Sequence, residues 1–160
     1  MSVKGRFTSP PLRLNLGPAG LNFARADIEV YGLDQSGPSY EGRIFLNNPR
    51  ADAETPPLPE NGYAGSFHVY GYGIWPGDIG KDRETRALQS DDIRAPIRKD
   101  VIATEAVRAA ATRGPDISIT IVPVYPGNPP RDANEALKLE GARIVIHEDD
   151  LFSDEDAIPA

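Results

Sequence analysis

Two histidines, no cysteine and a single methionine bound the chemistry open to this 160-residue chain. Without cysteine there is no thiolate nucleophile, no disulfide and no soft-sulfur metal site. A zinc site takes about three or four protein ligands, so His68 and His147 would need carboxylates to complete one, and both fall on strand faces or ends in the pattern described below. Neighbouring carboxylates occur at Asp91-Asp92 and at Glu148-Asp149-Asp150. The first pair falls in a turn and the second opens an acidic tail. Such positions suit solvated charge better than the rigid, opposed geometry of an acid–base pair. The Asp150–Asp156 run lacks the glycine and the ligand spacing of an EF-hand loop. No G-x-S-x-G, P-loop or H-E-x-x-H motif occurs. The expectation is a chain with no catalytic residues, no metal site and no cofactor.

Aromatic side chains are the remaining chemistry. Tyr63–Pro76 reads Y-A-G-S-F-H-V-Y-G-Y-G-I-W-P. Its first half alternates like a strand, and its second half breaks on Gly71, Gly73 and Pro76. A strand that delivers Tyr70, Tyr72 and Trp75 onto a glycine-hinged tip can present rings to a partner. The same rings could instead cap one end of the protein's own core, where aromatics at strand ends commonly sit. A partner plug, a carbohydrate platform and a core cap all remain open for Tyr70, Tyr72 and Trp75.

The elements that must position these rings are mostly strands. Fifteen glycines and 16 prolines argue for many turns and short elements. Leu12, Leu14 and Leu16 alternate with polar residues as a short strand. Ala24–Leu33 follows, with Ala26, Ile28 and Val30 on one face and Asp27, Glu29 and Tyr31 on the other. Tyr40–Leu46 resumes the alternation after the turn residues Asp34–Ser39, so the two strands are expected to form a hairpin or its near equivalent. Asn47–Gly62 is a long Pro-rich loop. Gly65–Gly71 places Phe67 and Val69 on one face and Ser66, His68 and Tyr70 on the other. Arg98–Ala103 is a further strand. Thr104 is the expected N-cap of a helix of about three turns or less, stopped by Gly114. Ile117–Tyr125 is the strongest strand, and Pro123 marks that end as an edge or a bulge. Leu137–His147 is the last strand, with Ala142, Ile144 and Ile146 in phase. About seven strands, long connections and one short helix specify an all-β fold, an antiparallel β-sandwich, with a β-barrel as the alternative.

Charge and length narrow the partners. Net charge is −7, and the segment His147–Ala160 carries six acids without Lys or Arg, which leaves the body near −1. Such a chain suits neither nucleic acid nor an anionic membrane surface. No run approaches the roughly 18–20 apolar residues of a membrane span, and the N-terminus has no signal-peptide core. The expectation is a cytoplasmic protein with one sandwich domain over residues 1–147 and a flexible acidic tail over 148–160; export within a complex would leave the same sequence.

The order of segments resembles the C-terminal β-sandwich domain of tyrosinases, polyphenol oxidases and haemocyanins, the type-3 copper proteins. Asp27-Ile28-Glu29-Val30-Tyr31 is similar to the family's early strand. Ser39–Leu46, S-Y-E-G-R-I-F-L, is similar to the next. Ala64-Gly65-Ser66-Phe67-His68-Val69 resembles a plant Ala-Gly-Ser-Phe-Val strand. Ile117–Pro123, I-S-I-T-I-V-P, with Leu139–Ile144, L-E-G-A-R-I, resembles the Val-Pro strand and the final glycine-containing strand. Asp100–Ala111 fits the short helix before the Val-Pro strand. The likeness covers about residues 12–147. The family's histidine-rich copper domain has no counterpart, and two histidines cannot build a dinuclear copper centre, which takes about three imidazoles per ion. The resemblance therefore implies no oxidase activity. It implies a domain that sits over the mouth of a copper site, where one side chain can occupy the substrate position and exclude water and phenols. The expected role is a non-catalytic shielding or assembly subunit for a tyrosinase-like copper oxidase. The alternatives are a structural or protein-interaction sandwich within a larger assembly, and a carbohydrate-binding module.

Overall fold

The computed structural model describes residues 5–35, 37–71, 95–126 and 137–149. Strand β1 is Phe7–Thr8, β2 Leu12–Arg13, β3 Arg25–Leu33, β4 Tyr40–Leu46, β5 Tyr63–Val69 and β6 Ile97–Ile102. Helix α1, Thr104–Ala111, follows, then β7 Asp116–Ile117, β8 Ile119–Val124 and β9 Gly141–His147. Every pairing is antiparallel. The order β1-β8-β4-β5 forms one sheet, β6-β3-β9 a second, and β2-β7 a small two-stranded ladder. Ile28 and Val30 of β3, Ile44 of β4, Phe67 of β5 and Ile119 and Ile121 of β8 meet in one buried cluster. This is the expected all-β sandwich, with two-residue strands added at its margins.

β3 and β4 do not form the expected hairpin. β3 is paired on both sides, by β6 and β9, while β4 lies between β8 and β5 in the other layer. Each strand buries a full face, and two such faces are satisfied by meeting across the core rather than side by side. The connection between Leu33 and Tyr40 therefore carries the chain from one layer to the other.

Local departures from simple alternation have identifiable causes. Ala26, Ile28 and Val30 are buried as their spacing requires, yet Leu33 is buried too. A bulge between Val30 and Leu33 rephases the strand. Gly32 adopts φ +68° there, a conformation a side chain resists. Pro123 sits opposite Gly42 of β4, while β1 reaches only Thr120 and Ile121. The proline thus occupies the end of β8 that is paired on one side, where a missing N–H is tolerated.

Helix α1 spans eight residues and is tied down at both ends of its first two turns. Thr104 is not its N-cap. Ala103 holds that position without a side-chain cap, and the Thr104 hydroxyl instead accepts the Ala26 N–H at 3.2 Å. The helix rises directly from β6, so its first turn is anchored to β3 rather than capped by itself. Arg108 donates to the carbonyls of Leu21 and Phe23 at 2.9 and 2.7 Å and lies 4.8 Å over the Phe23 ring. Among the described residues no helix is long and apolar enough to cross a membrane.

Asp27 lies on the outer face of β3, as its alternation requires, but is only 6% exposed. Arg25 grips both its oxygens at 2.7 Å, and His147 approaches at 3.3 Å. The Arg25 hydrogen bonds hold the Asp27 carboxyl below its ordinary range; burial opposes them, and the charges of Arg25 and His147 reinforce them. Glu148, expected as the first residue of the acidic tail, packs on the turn at Gly17–Ala19 and accepts the Ala19 N–H at 3.4 Å. Residues 150–160 of that segment lie outside the described residues.

Candidate functional site

The outer face of the four-stranded sheet divides into a covered half and an open half. At the Leu46 end of β4, Phe45, Tyr63 and Val122 pack under Ala51 of the Pro-rich loop. Arg6 ties that loop down by donating to the Ala51 carbonyl at 2.6 Å. The Pro-rich stretch thus acts as a fixed cover for one half of the sheet. No such cover is present over the Tyr40 end among the described residues.

Cross-strand register sets what the open half displays. Glu41 stands opposite both His68 of β5 and Val124 of β8, so the three side chains share one face. Tyr70 continues that face beyond His68, and Ser39 and Pro126 close it. Together they border a depression of about 240 Å³. Glu41 accepts from Arg43 Nε at 2.6 Å and lies 3.6 Å from His68 Nε2. Tyr70 is 75% exposed, which rules out the core-cap reading for this ring.

Gly71 fixes where Tyr70 stands. Its N–H donates to Ser39 Oγ at 3.0 Å. A Cβ at Gly71 would lie 1.9 Å from the Gly37 carbonyl oxygen. The glycine therefore permits a close backbone approach, and the end of the strand is clamped rather than hinged. Tyr72 and Trp75, the other two candidate plug residues, lie outside the described residues, as do Gly73 and Pro76.

Behind this face the sheet is backed by packed aromatics. Tyr40 meets Phe67 and Tyr125 edge-on, with ring centroids 6.4 Å apart in each pair. The Tyr40 hydroxyl is buried and makes no hydrogen bond among the described residues. Burial, with the neighbouring Tyr125 and Asp34, pushes its pKa far above the ordinary phenol value, and burial also raises that of Tyr125. Both phenols stay neutral and serve as a stiff floor under the Tyr70 surface.

No three His, Cys, Asp or Glu residues come close enough to hold a metal ion among the described residues. His68 reaches one carboxylate, Glu41, and His147 reaches one, Asp27. The open half combines an exposed ring, an imidazole, a paired carboxylate and a shallow depression with apolar Val124 and Pro126 in its lining. Such a mixture suits recognition. Sequence alternation alone pointed to Tyr70; Ser39, Glu41 and Pro126 escaped it because only the register of β4 against β5 and β8 brings them there.

The architecture is similar to a fold that makes up about a quarter of polyphenol oxidase structures, in keeping with the resemblance that the order of sequence segments carried. The structure of latent aurone synthase (polyphenol oxidase) from natural source superposes with a TM-score of 0.54 at 16% identity, over 90% of this chain and 25% of that one. The recombinantly expressed latent enzyme gives 0.53 at 16%, over 92% and 25%. A form co-crystallized with hexatungstotellurate(VI) gives 0.52 at 17%, over 89% and 24%. At these identities the likeness is one of fold, and the chain spans about a quarter of the length of the proteins it matches. No family model and no curated protein matches the sequence.

Proposed function

We propose that this chain is a non-catalytic shielding or assembly subunit for a type-3 copper oxidase. The observation that carries the reading is the superposition of nine-tenths of the chain on one quarter of a latent polyphenol oxidase. A fold that forms part of a latent oxidase, in a chain with two histidines, suits action upon a copper domain held by a partner. The open half of the four-stranded sheet is the contact, with the clamped Tyr70 ring as its anchor. Buried aromatic anchors carry much of the energy of an interface, and a ring held in place beforehand loses little freedom on docking. Tyr72 and Trp75, which follow Tyr70 in the sequence, are the candidates for a side chain entering the partner's pocket.

The test is capture of the tagged protein from its native lysate, with mass spectrometry, copper analysis and a phenol-oxidation assay on what is recovered. A histidine-rich copper protein whose oxidase activity rises when this chain is removed supports the proposal. Capture of a copper-free assembly alone would instead assign the chain a structural or interaction role. Binding to glycans, read through Trp75 fluorescence, would move the reading to a carbohydrate-binding module.

A further inference from the structure

A second cavity lies at the opposite end of the strands from Tyr70 and plays no part in the reading above. It is a groove of about 740 Å³ between helix α1, the start of β5 and the end of β6. Its walls are mostly apolar, many of them small residues, with Asn47, Thr104, Glu105 and Arg113 as the polar groups. Ala106 and Ala109 on the helix face Ala64 on β5, and Ile102 forms a rim. Ile102, at the end of its strand, is 64% exposed and leaves its side chain open to the groove. The volume falls within the roughly 300–1,000 Å³ of small-molecule sites, whose walls are mostly apolar with few polar groups.

The charges at the two ends of the groove are not equivalent. Glu105 is neutralised by Arg108 at 2.6 Å. Arg113, which also lines the groove, has no side-chain hydrogen bond or ion pair among the described residues. The two positions are separated by roughly 12 Å of helix rise. The groove thus presents a mostly apolar trough in which Arg113 is, among the described residues, a cation without an ion-pair partner.

We propose that this groove binds a small amphiphilic anion, its apolar body lying along the alanine-lined wall and its acidic group on the Arg113 guanidinium. The alanines supply room rather than contacts of their own, so the ligand's hydrocarbon takes the place of the missing side chains against Ile102. The guanidinium selects an acid over an alcohol or an amine of the same body. The proposal stands independently of any copper-oxidase partner.

Titration of the purified chain with two fluorescent probes tests it. 8-Anilinonaphthalene-1-sulfonate carries an aromatic body and an anion; N-phenyl-1-naphthylamine carries a similar body without the charge. Both should bind saturably with one site per chain, well below the melting temperature. Ala109→Phe, which fills the groove from an exposed helix position, should abolish saturable binding of both probes. Arg113→Gln should weaken the sulfonate up to about fivefold, as expected for an exposed ion pair, and leave the neutral probe unchanged. Dodecanoate should displace the sulfonate better than dodecanol does. Absence of saturable binding by the unmodified chain, or equal binding by all three proteins, would overturn the site. Equal effects of Arg113→Gln on both probes, or equal displacement by acid and alcohol, would overturn the choice of ligand. Circular dichroism melts of both variants separate these results from a failure to fold.

Discussion

Gly71→Ala tests whether the strand end that carries Tyr70 is clamped. The added methyl would sit 1.9 Å from the Gly37 carbonyl oxygen and 2.6 Å from the Pro38 carbonyl carbon, against about 3.5 Å for an ordinary carbon contact. Both obstacles are backbone, so no rotamer change relieves them. The two segments must move apart, at a cost of about 1–3 kcal/mol for an overpacked site. That movement also stretches the 3.0 Å bond from the Gly71 N–H to Ser39 Oγ, worth about 1 kcal/mol. A combined loss of about 2–4 kcal/mol corresponds to a fall in Tm of roughly 5–15 °C for a domain of this size. Urea and thermal unfolding followed by circular dichroism measure it. Gly114→Ala is the control, because nothing lies within 4 Å of a Cβ there. It should be neutral or stabilise by about 0.4–1 kcal/mol, through the lost freedom of the unfolded chain. If Gly71→Ala unfolds within about 0.5 kcal/mol of the parent, the clamp does not exist and Tyr70 is not pre-positioned.

Tyr70→Ala, at a largely exposed site, should change stability by less than about 0.5 kcal/mol and weaken capture of the partner at least about fivefold; a large loss of Tm would mean the ring supports the core. Arg108→Ala removes two carbonyl bonds and the contact with Phe23, and should cost about 2–3 kcal/mol in urea unfolding, with little rescue by lysine because one ammonium cannot reproduce the fork. An unchanged midpoint would show that α1 is held by packing alone. Asp27 has a folded-state pKa below its ordinary 3.8, so its contribution is present above that pH and is lost as pH falls through the folded value. Asp27→Asn should therefore cost about 1–2 kcal/mol near neutrality and remove part of the acid-limb slope of stability against pH. Parallel acid limbs for the two proteins would show that the Arg25–Asp27 pair contributes nothing.

Strand positions were legible in the sequence because alternation is a local signal. Ala26, Ile28 and Val30, or Ile119 and Ile121, declare a buried face without reference to any neighbour. Which strand lies beside which is not local, and the misread hairpin of β3 and β4 shows the consequence. A short turn between two alternating segments is compatible with pairing in one sheet or with a step to the other. The choice was made by β6 and β9, distant in sequence, which occupy both edges of β3. Thr104 is a similar case: its type and place suit an N-cap, but the Ala26 N–H, across the sheet, claims its hydroxyl. Alternation places Asp27 on the outer face of its strand, but not the Arg25 and His147 side chains that close over it.

The candidate site follows the same division. Tyr70 could be placed on the polar face of β5 past His68, before a glycine, but its exposure could not be read, and the structure decides it at 75%. Its surroundings could not be read, since Glu41, Val124 and Pro126 reach it only through two cross-strand registers. The role of Gly71 was visible as a break, but the physical reason, a carbonyl of Gly37 where a methyl would stand, belongs to the connection between the two layers. That connection enters β4 at Tyr40, beside the open half of the sheet, and passes within van der Waals reach of the strand end bearing Tyr70. The step between layers, hidden in the sequence behind ordinary turn residues, therefore both builds the sandwich and holds its exposed ring in place. A perturbation of Gly37 or Pro38 should reach Tyr70 through the backbone, whereas changes in the covered half around Phe45 and Tyr63 should leave it undisturbed.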